Sequence, residues 1–179
     1  MALTVQNLQG GVVSANSYAS LELMKAHHAE RGADLSSFSD DRLSQALVLA
    51  TDFLDSRYSF VGVRLSDEQG TACPRFDVTE GPNDLLSSAQ WTALTKACCM
   101  LAYRDLKKAG GLMPDPTFDA TGQAVSKKTT KVGPIENTVE YTPSPEAAIP
   151  SYPAIDLLLK SVGLLRRTRV GGSGTLSRG

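Results

Sequence analysis

Histidine is scarce in this chain. Only His27 and His28 occur among 179 residues, and they are adjacent. Neighbouring imidazoles cannot share a helix face, and no third ligand stands at a suitable spacing, so no metal site is expected. Acid–base catalysis would have to rely on carboxylates alone. Cysteine is scarce too: Cys73, Cys98 and Cys99 make an odd count without CxxC spacing. Side chains at adjacent helical positions point about 100° apart, which disfavours a Cys98–Cys99 disulfide, and reduced thiols in a cytosol are the simplest reading. Aromatic residues make up 6% of the chain, a thin supply for base stacking. No run of about 18 apolar residues is present to span a membrane. The start, MALTVQNLQGGVV, lacks the charged beginning and long apolar core of a signal peptide. Neither sign of charge dominates, with 18 Lys and Arg against 19 Asp and Glu, which argues against a dedicated duplex-DNA binder. Walker, HExxH and GxSxG motifs are absent. Asp52 and Asp55, three apart, could approximate paired carboxylates, but such residues on a solvated helix face are far commoner. No catalytic, cofactor-binding or metal-binding residue is therefore assigned, and no enzyme activity is expected.

What is present is helical periodicity. Hydrophobic residues are 41% of the chain and charged residues 21%, a globular balance. The dominant stretch runs from Asp40 to Tyr58. Leu43, Ala46, Leu47, Ala50, Phe53, Leu54 and Tyr58 recur three and four apart, and Ser39 or Asp40 can cap the helix. Asp52, Asp55 and Arg57 fall mostly on its wet side. An earlier helix is predicted over Tyr18 to Arg31, closed by Gly32, with His27 and His28 placed where a partial positive charge is welcome. A third is predicted from Ser87 or Ser88 to about Lys108, with Trp91, Leu94, Cys98, Leu101 and Ala102 at helical spacing. Between the second and third, Ser59 to Phe76 reads as an irregular excursion. Phe60, Val61 and Val63 are expected to fold back on the helices, and Arg75 to reach an internal carboxylate or a neighbouring subunit.

Prolines and glycines crowd the chain after Gly110, from Pro114 to Pro150, and exclude a long helix there. Lys127–Val132 and Ile135–Tyr141 are β-prone runs around Gly133-Pro134 and predict a hairpin. Its lysines (Lys127, Lys128, Lys131) and glutamates (Glu136, Glu140) suit cross-strand pairing. Neighbouring subunits could cover its open edges, with Arg75, Lys131 and Glu140 as intersubunit candidates. A last helix begins near Tyr152 with Pro153 in its first turn. The end is basic: Arg166, Arg167, Arg169 and Arg178, with no acidic residue after Asp156. The expected fold is mainly α: a small antiparallel helical bundle with a β-hairpin or extended insertion and an extended C-terminal arm. The divisions are 1–110 for the bundle, 111–150 for the extended segment, 151–165 for the last helix and 166–179 for the arm.

The string ALVLATDFLDSRY (Ala46 to Tyr58) runs into Phe60, Gly62 and Arg64, then Asp67, Gln69, Pro74 and Arg75. ANSYAS (Ala15 to Ser20) precedes it and KVGPIENTVEY (Lys131 to Tyr141) follows. In order and spacing this resembles the head-to-tail adaptor, or head completion, proteins of tailed phages, many of whose relatives carry the label DnaT-like single-strand DNA-binding protein. The resemblance covers roughly Asn16 to Tyr141. Cys73 departs from it, since the family often has Trp there. The resemblance implies a virion protein of the phage neck, assembled in the host cytoplasm as a homo-oligomeric ring of about twelve copies. Its partners would be the portal protein and the next stopper, nozzle or tail protein, with no membrane. Packaged DNA would pass the lumen without specific binding. By the same likeness the C-terminal arm would dock on the portal, and Arg166, Arg167, Arg169 and Arg178 would pair with its carboxylates. Two other readings stay open: a single-strand DNA-binding module, and a neighbouring neck protein such as a stopper or tail-completion factor.

Overall fold

The computed structural model describes residues 2–9, 11–76, 78, 84–108, 111–112, 125–131, 136–141 and 150–166. Four helices and two small antiparallel sheets are found among them: α1 (Leu21–Ala29), α2 (Asp40–Arg57), β1 (Val63–Arg64), β2 (Arg75–Phe76), α3 (Ser88–Lys107), β3 (Val125–Lys131), β4 (Glu136–Tyr141) and α4 (Pro153–Ser161). The fold is mainly α, with a two-stranded hairpin, as the periodicity predicts.

Local chemistry sets the helix starts. The Ser39 hydroxyl accepts from Arg42 N at the head of α2. Ser87 and Gln90 form a reciprocal capping box at the head of α3. Helix α1 is shorter than the predicted Tyr18–Arg31. The Ser20 side chain takes Leu23 N as its first partner, so Tyr18 lies in the preceding turn. In α4, Pro153 occupies the first turn, where its missing N–H costs nothing.

The core lies between α2 and α3. Arg42, early in α2, reaches Asp105, late in α3, and Thr51 meets Cys98 near the middle, so the two helices run antiparallel. Leu43, Leu47, Leu54, Leu94 and Leu101 are essentially inaccessible, each contributing about 2 kcal/mol by leaving water. Helix α4 adds Ile155 and Leu159 to this same core, and Leu164 follows them. Two hydrogen bonds tie α4 in place: Tyr58 Oη donates to Asp156 at 2.7 Å, and Gln90 Nε2 donates to the Val162 carbonyl at 3.2 Å. An N-terminal strap pairs Val5 with Ser17 and feeds α1.

Some expectations about burial change. Val63, expected to fold back, is 54% exposed. Another concerns His27 and His28, placed at a helix end where a partial positive charge is welcome. Both are buried against α3: His28 stacks on Tyr103, and its Nε2 lies 3.0 Å from the Cys99 carbonyl. His27 Nε2 has no hydrogen-bond partner among the described residues, and burial first, then Arg31, lowers its pKa to about 4. His27 is thus neutral and places no positive charge at the helix end.

The hairpin covers nearly the predicted residues. Lys127 is in register with Glu140, Thr129 with Thr138, and Lys131 with Glu136. No helix makes more than a glancing contact with β3 or β4 among the described residues.

Candidate functional site

Tyr18, Asp55 and Gln69, three of the residues that carry the family resemblance, converge on the loop between α2 and β2. Tyr18 enters from the turn before α1, and its phenol donates to Asp55 Oδ1 at 2.5 Å. Asp55 Oδ2 accepts from Ala72 N at 2.8 Å, and the Tyr18 oxygen accepts from Cys73 N at 3.0 Å. Asp55 therefore points inward, contrary to its assignment to the wet face of α2. Burial raises its pKa, opposed by the bonds from Tyr18 and Ala72. Burial likewise raises the Tyr18 pKa, and the Cys73 thiol is pushed up to about 12. These are groups held neutral or fixed by packing. A nucleophile would need its pKa moved the other way.

Gln69 continues the network. Its Nε2 donates to the carbonyls of Thr71 and Pro74 at 2.8 and 3.0 Å, while its Oε1 accepts from Ser66 N at 3.0 Å. Gln6 from the N-terminal strap donates to Thr71 Oγ1 at 3.1 Å. Gly70 lies against the strap so closely that a Cβ would stand 2.2 Å from the Ala15 carbonyl oxygen. The Cys73–Pro74 peptide bond is cis.

Arginines brace the outside of this loop. Arg75 donates to the carbonyls of Val61, Ala72 and Gly62 at 2.8, 3.1 and 2.8 Å. Neither a carboxylate nor a neighbouring subunit supplies these acceptors. A guanidinium fork suits several carbonyls at once. Arg64 donates to the Gln69 carbonyl. Arg166 comes back from beyond α4: its backbone N donates to Ser59 O at 2.9 Å and its Nε to Phe60 O at 3.1 Å. Beside it Leu165 bridges Phe60. So the first residue assigned to the basic arm is fastened to the loop, although its side chain remains exposed. Arg167, Arg169 and Arg178 lie outside the described residues. Lys131 and Glu140 occupy opposite strands of the hairpin, each in register with a residue of opposite charge.

Sequence reasoning missed Tyr18, Asp55 and Gln69 as loop-builders. The signal was there: all three belong to the strings that carry the resemblance. Periodicity alone put Asp55 on a polar face.

Among the described side chains no aromatic ring is exposed. Tyr58 is bonded to Asp156, Trp91 packs edge-on against Tyr18 at 6.1 Å, and Tyr103 is stacked on His28. No group of three or more His, Cys, Asp or Glu residues that could hold a metal ion is found among the described residues. None of their helices is long and apolar enough to cross a membrane.

The described chain is thus a mainly α domain whose polar motif residues brace its own long loop. It belongs to the family described as "Putative DnaT-like ssDNA binding protein", whose model matches residues 1–179. No curated protein and no solved structure shows significant similarity.

Proposed function

We propose that this protein is a non-enzymatic assembly component of the tailed-phage neck: a head-to-tail adaptor that docks on the portal once DNA is packaged. It would form a ring of about twelve copies and offer the platform for the next stopper, nozzle or tail protein. The reading rests on the motif resemblance to head completion proteins. One structural observation supports it: the motif polar groups face inward, fastening strap, loop and C-terminal exit into one unit. A protein built that way acts by presenting surfaces. Arg167, Arg169 and Arg178 would pair with portal carboxylates, and DNA would pass a lumen it does not grip.

The family description favours a second reading, single-stranded DNA binding. Such binding ordinarily uses exposed aromatic platforms beside a basic groove. The described surface offers no such rings, and Arg64, Arg75 and Arg166 are engaged with carbonyls.

One experiment separates the two. A chain ending at Arg166 is compared with the full chain for attachment to purified portal rings and for oligonucleotide binding across a salt series. The adaptor reading expects attachment to be lost on truncation, with weak oligonucleotide binding throughout. Tight, salt-dependent oligonucleotide binding without portal attachment by the full chain establishes the second reading.

A further inference from the structure

The hairpin carries its charge unevenly. Strand β3, VSKKTTK, holds three lysines and no acid. Strand β4, ENTVEY, holds two glutamates and no base. The sheet has two strands only, so among the described residues each has one unpaired edge. A lone two-stranded hairpin is marginal in water, and open edges recruit further strands.

We infer that the hairpin is an interface between copies of this chain, with β4 of one copy pairing to β3 of the next. The argument is from charge and symmetry, and it deepens the ring reading above. Lys127, Thr129 and Lys131 are in register with Glu140, Thr138 and Glu136. If β4 met β4 of another copy, glutamate rows would lie side by side. If β3 met β3, lysine rows would. Like charges on neighbouring strands repel. Only the β4-to-β3 arrangement places each glutamate row between two lysine rows. That contact joins two different edges, so it is heterologous: it propagates round a ring and cannot close a two-fold dimer. The strand directions agree as well. Strand β3 is antiparallel to β4 within one copy. Rotating a copy about a ring axis parallel to the strands preserves strand direction, so β3 of the next copy is also antiparallel to β4. The outcome is one continuous antiparallel belt of alternating sign.

The test uses the full chain and disulfide trapping. Cys73, Cys98 and Cys99 are all buried, so an introduced cysteine reports alone. Thr129→Cys in one tagged copy and Thr138→Cys in a differently tagged copy are mixed and oxidised. The expected product is a covalent heterodimer in the mixture, at least tenfold above homodimer from either variant alone. Predominant Thr138→Cys or Thr129→Cys homodimer overturns the inference, as does no cross-link at all. A charge series checks the cause. Glu136→Lys with Glu140→Lys abolishes trapping, and adding Lys127→Glu with Lys131→Glu restores it. Trapping unchanged by the first pair also overturns the inference. Heterodimers from a protein that never attaches to portal rings would leave this interface standing and sink the adaptor reading alone.

Discussion

Tyr18 and Asp55 meet across 37 residues of sequence, phenol to carboxylate at 2.5 Å, and hold the turn before α1 against the end of α2. The same two side chains also take the backbone N–H groups of Cys73 and Ala72. One pair thus closes the start and the end of the long loop. Tyr18→Phe strips Cys73 N–H of its acceptor and Asp55 of a donor. The expected loss is about 2 kcal/mol of unfolding free energy, measured by urea denaturation at neutral pH. An unchanged midpoint would show that water replaces the phenol without cost.

Asp55 also gives a pH signature. Its folded pKa is raised, chiefly by burial. In the window between the ordinary carboxylate value and that raised value, the folded state binds the proton more tightly. The contribution of Asp55 therefore falls as pH rises through the window. The stability of the wild type relative to Asp55→Asn should decrease from acid toward neutral pH, read from urea midpoints at several pH values. A difference that rises with pH would mean that the bonds from Tyr18 and Ala72 outweigh desolvation.

His27 has the opposite sign. Its pKa is lowered to about 4, so between about 6.5 and 4 the unfolded chain takes the proton and the folded chain does not. Stability is present above that window and is lost as pH falls through it, by on the order of 2 kcal/mol. His27→Phe keeps an aromatic ring between α1 and α3 and should flatten this part of the curve. Among the described residues His27 Nε2 has no hydrogen bond to lose. The check is the urea midpoint at pH 7 and at pH 4.5 for both proteins.

The fold was largely readable from periodicity, because α2 and α3 each place one apolar stripe against the other. Leu43, Leu47, Leu54, Leu94 and Leu101 all lie on those stripes. The loop was not readable in the same way. Its order comes from Gln69, Arg64 and Arg75 binding carbonyls, and carbonyls are present at every residue. A side-chain pattern therefore cannot announce which ones are met. Asp55 was misplaced because a helix wheel assumes that polar means solvent, whereas a second element, the 71–73 turn, covers that face. The motif strings marked the right residues, but the partners expected for Arg75, an internal carboxylate or a neighbouring subunit, left out the backbone carbonyls it meets. His27 and His28 were misjudged for a similar reason: helix position predicts a welcome for charge only where the end is wet.

Gly70 tests how closely strap and loop are joined. A Cβ there would stand 2.2 Å from Ala15 O and 2.9 Å from Val13 O, both backbone atoms. Gly70→Ala should cost about 2 to 3 kcal/mol, since the strap must shift and break its bond from Gln6 to Thr71. Gly32→Ala is the control. Its φ is +68°, with no atom near the new methyl. It should cost about 1 kcal/mol, from backbone conformation alone. Equal losses in the two variants would argue against the close approach.

Residues 164 to 166 fasten the C-terminal exit to the bundle and the loop. Leu164 is fully buried, its N bonds back to Leu159 O at 3.1 Å, and its O accepts from Val61 N at 3.0 Å. Ending the chain at Gly163 removes this side chain, the Leu165–Phe60 bridge and the Arg166 bonds together. A buried leucine cut to alanine costs about 2 to 5 kcal/mol, so this truncation should cost at least as much. Ending at Arg166 keeps every one of those contacts and should leave the thermal midpoint within about 2 °C of the full chain. Leu164→Ala in the full chain should reproduce much of the first loss. If the chain ending at Gly163 melted like the full chain, the docking of residues 164 to 166 on the loop would contribute nothing to stability. The basic segment would then begin three residues earlier than this geometry requires.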